Sequence, residues 1–278
     1  MSTVRLRTAA AACAALLTGC VLGHREMTLT LPEAGEPAAP RGQVYLAEVT
    51  DGRKFQDPVD ISGSRAHPVD DLIKPAVPKG GEAASLTAQD KQVMIGLQRR
   101  TTGGAVAPAT LTDGQTVNGL ARDLITQALR KAGYTVVDDP KAGTTATATV
   151  DEFWGWEWAY MSAQFGANVS ATVVLKRGGK SYEAHARGSG INVGGDMKSS
   201  NWQKAFKIAF KDFVDHLDAE LAKAESAGVL TAGQVPKAAG GSAPDARAKL
   251  AELKKMLDDG LITREQYEKK RQDILDQM

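Results

Sequence analysis

The chain is poor in cysteine, in aromatic residues and in net charge, and each shortage removes a class of function. Its 278 residues hold two cysteines, Cys13 and Cys20, both near the start. If Cys13 leaves with an export signal and Cys20 is acylated, no free thiol remains. Disulfides, cysteine-ligated metal sites and cysteine nucleophiles are then excluded. A formal net charge of +1 gives no whole-chain field to draw in nucleic acid or acidic lipid. The apolar run Thr8–Leu17 stops well short of the roughly 20 residues that a membrane-spanning helix needs. His24, His67, His185 and His216 are scattered, with no metal-ligand spacing among them, and no G-x-S-x-G elbow occurs. No metal or cofactor is expected on these grounds.

What the N-terminus does contain is an address. Arg5 and Arg7 precede the apolar run, which ends in Leu17-Thr18-Gly19-Cys20. This resembles a secretory signal closed by a bacterial lipobox, with a leucine three places before the cysteine and small residues beside it. Small residues let a peptidase reach the backbone, while the thiol takes a diacylglyceryl group. Each buried methylene of that lipid contributes roughly 0.8 kcal/mol, so two or three chains anchor stably where one does not. Val21 stands where an Asp would favour inner-membrane retention in enteric bacteria. The expected location is therefore the cell envelope, on the outer membrane facing the periplasm.

Composition and periodicity divide the rest. Residues 20–40 carry Pro32, Pro37 and Pro40 and read as a tether. Residues 41–225 hold the folded domain. Strands are predicted over Val44–Thr50, Lys91–Arg99 (Val93, Ile95 and Leu97 sharing a face), Tyr134–Val137, Thr144–Phe153, Asn168–Lys176 and Ser181–Val193. Gly178-Gly179 joins the last two as a tight hairpin. Helices are predicted over Gln115–Lys131, ended by Gly133, and Asn201–Ala224, where Ser200 and Gln203 have capping-box spacing. Asp51–Asp90 is a long polar loop with four prolines, an unusual length inside a compact domain. Residues 226–244 read as a linker. Residues 245–278 form a helix pair, with Leu250, Leu253 and Leu257 on the first helix and Tyr267 and Ile274 on the second. The fold class is thus α+β: a small mixed or antiparallel sheet packed by two amphipathic helices, plus a C-terminal helix-turn-helix hairpin.

With aromatics at only 5%, one cluster stands out. Trp154, Trp156, Trp158 and Tyr160 alternate along one segment and would share a face of an extended strand. Two readings are open. The rings form a platform for a peptide, glycan or protein, or they pack against the rest of the domain. Alanine at Trp156 and Trp158 separates them, because packing predicts unfolding. The acidic residues Asp51, Asp57, Asp60, Asp70 and Asp71 have no calcium-loop spacing and read as a solvated loop. Gly188, Gly190, Gly194 and Gly195 lack the Lys-Ser/Thr of a phosphate loop and read as flexible strand-end residues.

Two resemblances follow from these elements. Residues 248–275, through Leu250, Leu253, Asp259-Gly260-Leu261-Ile262-Thr263, Gln266-Tyr267, Lys270 and Leu275, resemble the SHOCT module, which implies self-association or docking. The region from Tyr45 to Leu221 resembles the YajG-like lipoproteins. It does so through the helix running into Ala132-Gly133-Tyr134, the strand Thr147–Val150, the glycine hairpin and the closing helix. That resemblance implies a mixed sheet with two helices and no catalytic residues. The expectation is a non-enzymatic adaptor or assembly factor, held to a membrane through Cys20, with a protein partner or self-association through the C-terminal helices and no nucleic acid. The alternative is a binding module for a small envelope ligand or cell-wall fragment on the Trp154–Tyr160 strand.

Overall fold

The computed structural model describes residues 24–35, 38–58, 72–78, 80–99, 105–159, 162–230 and residue 267. Three long strands form the spine: β6 (Thr145–Ala159), β7 (Ala163–Arg177) and β8 (Lys180–Gly194). They run antiparallel in the order β6-β7-β8. The hairpin turn is where alternation places it. Gly178 and Gly179 have φ of 53° and 80°, the left-handed values that a two-residue turn needs at both positions. The free edge of β6 is shared by two groups of strands. Its first half pairs in parallel with β2 (Gly42–Asp51), which pairs in parallel with β5 (Tyr134–Val137). Further along, Gly155 pairs with Gly96 of β3 (Met94–Arg99). Beyond β3 lie β4 (Ala105–Leu111) and β1 (Arg25–Met27). The sheet has eight strands, larger than the small sheet expected.

Among the described residues three α-helices accompany it: the short α1 (Ala88–Val93), α2 (Val117–Lys131) and α3 (Ser199–Ser226). The stripe of α3 buries Trp202, Phe206, Phe210, Phe213, Leu217 and Leu221 against the sheet and α2. A fully buried side chain of this class stabilises by about 1.5–3 kcal/mol. Gly188 and Gly190 let α3 approach β8 closely. A Cβ on Gly188 would stand 2.1 Å from the Ala209 carbonyl oxygen, and one on Gly190 would stand 2.1 Å from that of Ala205. These glycines serve packing rather than flexibility. The helix also screens the sheet edge. The Asp212 carboxylate accepts from the Ser189 amide at 2.9 Å, and His216 Nδ1 accepts from the Arg187 amide at 3.2 Å. One helical turn of α3 thus occupies two edge amides that would otherwise template another strand.

Several boundaries differ from the sequence-based expectation. The stretch 20–40 is not all tether. Arg25–Met27 is a strand, Met27 and Leu29 are buried, and Gln115 grips the Leu29 backbone with bonds to its amide and carbonyl, each 2.8 Å. Lys91–Val93 is helical rather than extended, because Thr87 and Asp90 form a reciprocal capping box that starts α1. A register slip between Met94 and Gly96 then sends Ile95 and Leu97 to different apolar clusters. No capping box forms at Ser200 and Gln203. Helix α3 begins at Ser199 after Lys198, which makes no side-chain cap, and Gln203 bonds the Thr28 carbonyl instead. At its other end, Gly228 (φ 70°) closes a Schellman motif in which Val229 N–H reaches the Ala224 carbonyl and Gly228 N–H that of Glu225. Val229 and Leu230 are buried, so the first residues assigned to the linker belong to the domain. The rest of the linker, the C-terminal hairpin apart from Tyr267, and Cys20 lie outside the described residues.

Candidate functional site

The tryptophan strand is built by a bulge. Before it, Ala146, Ala148 and Val150 face the helices. The register shifts between Val150 and Glu152, so Asp151 and Glu152 are both exposed and the alternation inverts. From there Phe153, Gly155 and Glu157 face α3, while Trp154, Trp156 and Trp158 turn to the opposite face. Gly155 is needed because a Cβ would come within 2.8 Å of the Trp202 and Phe206 rings. Phe153 stacks on Phe206 with centroids 5.6 Å apart, and Trp202 Nε1 donates to buried Glu157 at 3.2 Å.

Trp154, Trp156 and Trp158 share a face, but much of that face is covered. Trp154 is 1% exposed and packs among Ala76, Met94, Leu97 and Phe55, the last edge-on at 6.1 Å. Its Nε1 donates to the Leu72 carbonyl at 3.3 Å. Trp156 is 7% exposed, lies against Leu72 and covers Gly166, where a Cβ would fall 2.1 Å from the indole. The Trp156 Nε1 is buried, with no hydrogen-bond partner among the described residues. Trp158 is half-buried beside that pair, and Tyr160 is outside the described residues. A partner reaching Trp154 or Trp156 would first have to displace Leu72 and its neighbours.

The cover comes from the long 51–90 segment. Residues 53–58 and 72–78 meet at a parallel bridge between Gln56 and Ala76, with Gln56 N–H to the Pro75 carbonyl at 3.0 Å and Val77 N–H to the Gln56 carbonyl at 3.2 Å. Arg53 fastens the near end. Its side chain is fully buried and forks onto Asp51 with two bonds of 2.9 Å. It also donates to the carbonyls of Met94 (2.8 Å), Phe153 (2.9 Å) and Lys91. Of the loop acids, Asp51 is thus an ion-pair partner and Asp57 accepts from the Ala83 amide. Asp60, Asp70 and Asp71 are not among the described residues. Among those that are, no group of three His, Cys, Asp or Glu is placed to hold a metal ion. His24 bonds Thr110, and His185 bonds Thr172 and lies 3.2 Å from Glu183.

A second polar cluster joins the helices. Lys131 Nζ lies 2.7 Å from Asp215 and 3.2 Å from Asp218, and Lys211 approaches Asp215 at 2.6 Å. The bond from Lys131, then that from Lys211, holds the Asp215 carboxyl below its ordinary range, and the bond to Asp215 raises Lys131. The stabilisation carried by Asp215 is present above the ordinary carboxylate pKa of about 4 and is lost as pH falls through the lowered value. That of Lys131 is present below about 10.4 and is lost as pH rises through the raised value. In acid melts, Asp215→Asn should therefore flatten the loss of stability below about pH 4; an unchanged acid limb would remove the pair from the account. Nearby, Arg41 donates to both Glu225 oxygens at 2.6 Å and Tyr134 donates to the same carboxylate, tying the start of the domain to the end of α3. Burial, reinforced by that bond, pushes the Tyr134 hydroxyl upward. These groups are satisfied by one another and serve as fasteners.

Comparison with known proteins bears chiefly on the tail. Residues 248–275 match the SHOCT family, the short C-terminal domain. No match was found among curated proteins. Solved structures give distant likenesses. Protein XCC0632 from Xanthomonas campestris, of the DUF330 family, is 10% identical, with 73% of this chain and 99% of that one covered at a TM-score of 0.42. A candidate lipoprotein from Caulobacter crescentus is 15% identical over 40% of this chain and 84% of that one, at a TM-score of 0.32. The SHOCT segment begins 18 residues after Leu230, the last described residue of the domain.

Proposed function

We propose that the chain is a lipid-anchored protein of the bacterial envelope, acting as a non-enzymatic adaptor or assembly factor. The observation that carries this is the ordered address Arg5, Arg7, Thr8–Leu17 and Leu17-Thr18-Gly19-Cys20. Charged, apolar and small residues stand in the order that export and acylation require. Among the described residues no helix is long and apolar enough to cross a membrane. In this proposal the acylated thiol of Cys20 is the attachment. Val21 in place of an acidic residue supports outer-membrane sorting. The helix running into Ala132-Gly133-Tyr134, the glycine hairpin and the closing helix support a likeness to the YajG-like lipoproteins in this proposal.

Two features support an adaptor. The polar clusters described above are engaged in holding elements together, and the SHOCT segment stands apart from the domain by a linker rich in Gly, Ala and Pro. In this proposal the SHOCT segment makes the docking or self-association contact while the domain positions it. Crosslinking in intact envelopes tests this. The full chain should give discrete adducts that disappear when residues 245–278 are deleted. Identical adducts from both chains would refute a docking role for the tail.

A further inference from the structure

The strand directions place an unusual set of features at one end of the molecule. Strands β1, β4 and β7 begin there, and β3, β6 and β8 finish there. Helix α3 starts at the same end, since Arg25 Nη1 lies 3.5 Å from Ser199 Oγ while Gln203 reaches Thr28. Asn192 of β8 donates to Asn201 of α3 at 3.0 Å, which closes the link from β1 to the end of β8. His24, the first described residue, therefore sits at this end, four residues after Cys20.

Among the described residues, three large apolar side chains are exposed, and two of them are here: Ile191 at 60% and Val193 at 64%. Both point away from α3, to the tryptophan face. Cross-strand pairing sets them in rows, Trp156–Gly166–Ile191 and Trp158–Gln164–Val193. Half-buried Trp158 thus stands two strands from Val193 on the same surface. Ordinary solvent-facing strands alternate apolar-in with polar-out, as β8 does from Glu183 to Ser189, where the outward residues are Glu183, His185, Arg187 and Ser189. The pattern breaks only over the last outward positions.

We infer that this end of the domain is a bilayer-facing surface, with Ile191, Val193 and Trp158 entering the lipid interface beside the acyl chains on Cys20. The inference rests on the lipid anchor proposed above. Its occupant follows from chain length. Four residues span at most about 14 Å when fully extended, so the acylated thiol cannot leave this end of the domain far from the membrane. Trp and aliphatic side chains suit the boundary between headgroups and acyl chains. Lys198 pairs with Asp196 at 2.7 Å at this end, and Arg25 bonds the neutral side chains of Gln98 and Ser199. The surface formed by Trp158, Ile191 and Val193 is itself uncharged, so its contact with lipid is apolar and insensitive to salt.

The mature acylated chain offers no thiol for labelling, which makes the test clean. Val193→Cys and Glu183→Cys variants of the full acylated chain are each labelled with an environment-sensitive fluorophore. They are then reconstituted in phosphatidylethanolamine–phosphatidylglycerol vesicles carrying nitroxide lipids. Both positions are exposed, so neither change strains the fold. They lie ten residues apart on one strand, about 33 Å. The Val193 probe should be quenched several-fold more than the Glu183 probe, equally at low and high salt. Equal quenching at both positions, or none at either, in protein that does incorporate palmitate would overturn the membrane face and leave the anchor standing. Shielding of Val193 in native envelopes but not in pure lipid vesicles would identify a protein cover and also overturn the inference. Failure to incorporate palmitate would sink anchor and face together.

Discussion

Replacing Trp154 with alanine should cost the domain about 3–5 kcal/mol, the usual price of deleting a fully buried aromatic. The side chain is 1% exposed and bridges two parts of the fold, the sheet through Met94 and Leu97 and the covering segment through Phe55, Leu72 and Ala76. Truncation opens a cavity and also strips the Leu72 carbonyl of its indole donor. For a domain of this size each kcal/mol moves the midpoint by about 2–4 °C, so a fall on the order of 10 °C is expected. Trp154→Phe keeps most of the volume and loses the hydrogen bond, a smaller cost of about 1 kcal/mol. An open aromatic platform predicts the opposite, since surface substitutions usually stay within about 0.5 kcal/mol. Thermal and urea melts of the two variants discriminate, and an unchanged midpoint in Trp154→Ala would exclude the covered arrangement.

Arg53→Met should be comparably damaging for an electrostatic reason. The guanidinium is buried, forks onto Asp51 and serves three backbone carbonyls. Removing one partner of a buried pair leaves an uncompensated charge and typically costs about 3–5 kcal/mol. Among the described residues, Asp51 would keep only the Gln92 amide, 3.2 Å away, as a side-chain partner. Adding Asp51→Asn to Arg53→Met should recover part of the loss, because the stranded carboxylate is gone; strict additivity of the two changes would contradict the coupling. Arg53 also lies 5.1 Å from the Phe55 ring centroid, and Phe55 meets Trp154. Its loss should therefore loosen the cover, seen as a red shift of tryptophan emission ahead of global unfolding.

The elements that could be read from the chain are those with a clean period or a strong punctuation mark. Helix α2 has an unbroken stripe and a glycine stop, and Gly133 takes φ 91° as that position requires. The β7–β8 hairpin alternates over its whole length around two glycines. Helix α3 was legible from its spaced phenylalanines. The features that escaped obey no local period. Strand β1 is three residues long and gains its hydrogen bonds from β4, which is 80 residues later in the chain and carries Pro108. The bulge at Asp151 inverts alternation in mid-strand, and only tertiary packing on both faces reveals it. The cover over the tryptophans draws on Phe55, Leu72, Ile73 and Ala76, apolar residues strewn through a polar, proline-rich stretch. One usable signal was present: Thr87 and Asp90 stand at capping-box spacing and mark the start of α1.

For the candidate site, the tryptophans' common face followed from alternation alone, whereas their burial depended on a segment that looks like loop. The same alternation places Ile191 and Val193 outward, yet nothing short of the strand directions brings them to the end where the chain emerges four residues from Cys20.

The attachment itself is tested most directly by growing cells with labelled palmitate and recovering the protein from the envelope. Label should enter the wild-type chain, and Cys20→Ser should abolish it and release the protein from membranes. Absence of label from the wild type, or equal label in the serine variant, would contradict the account.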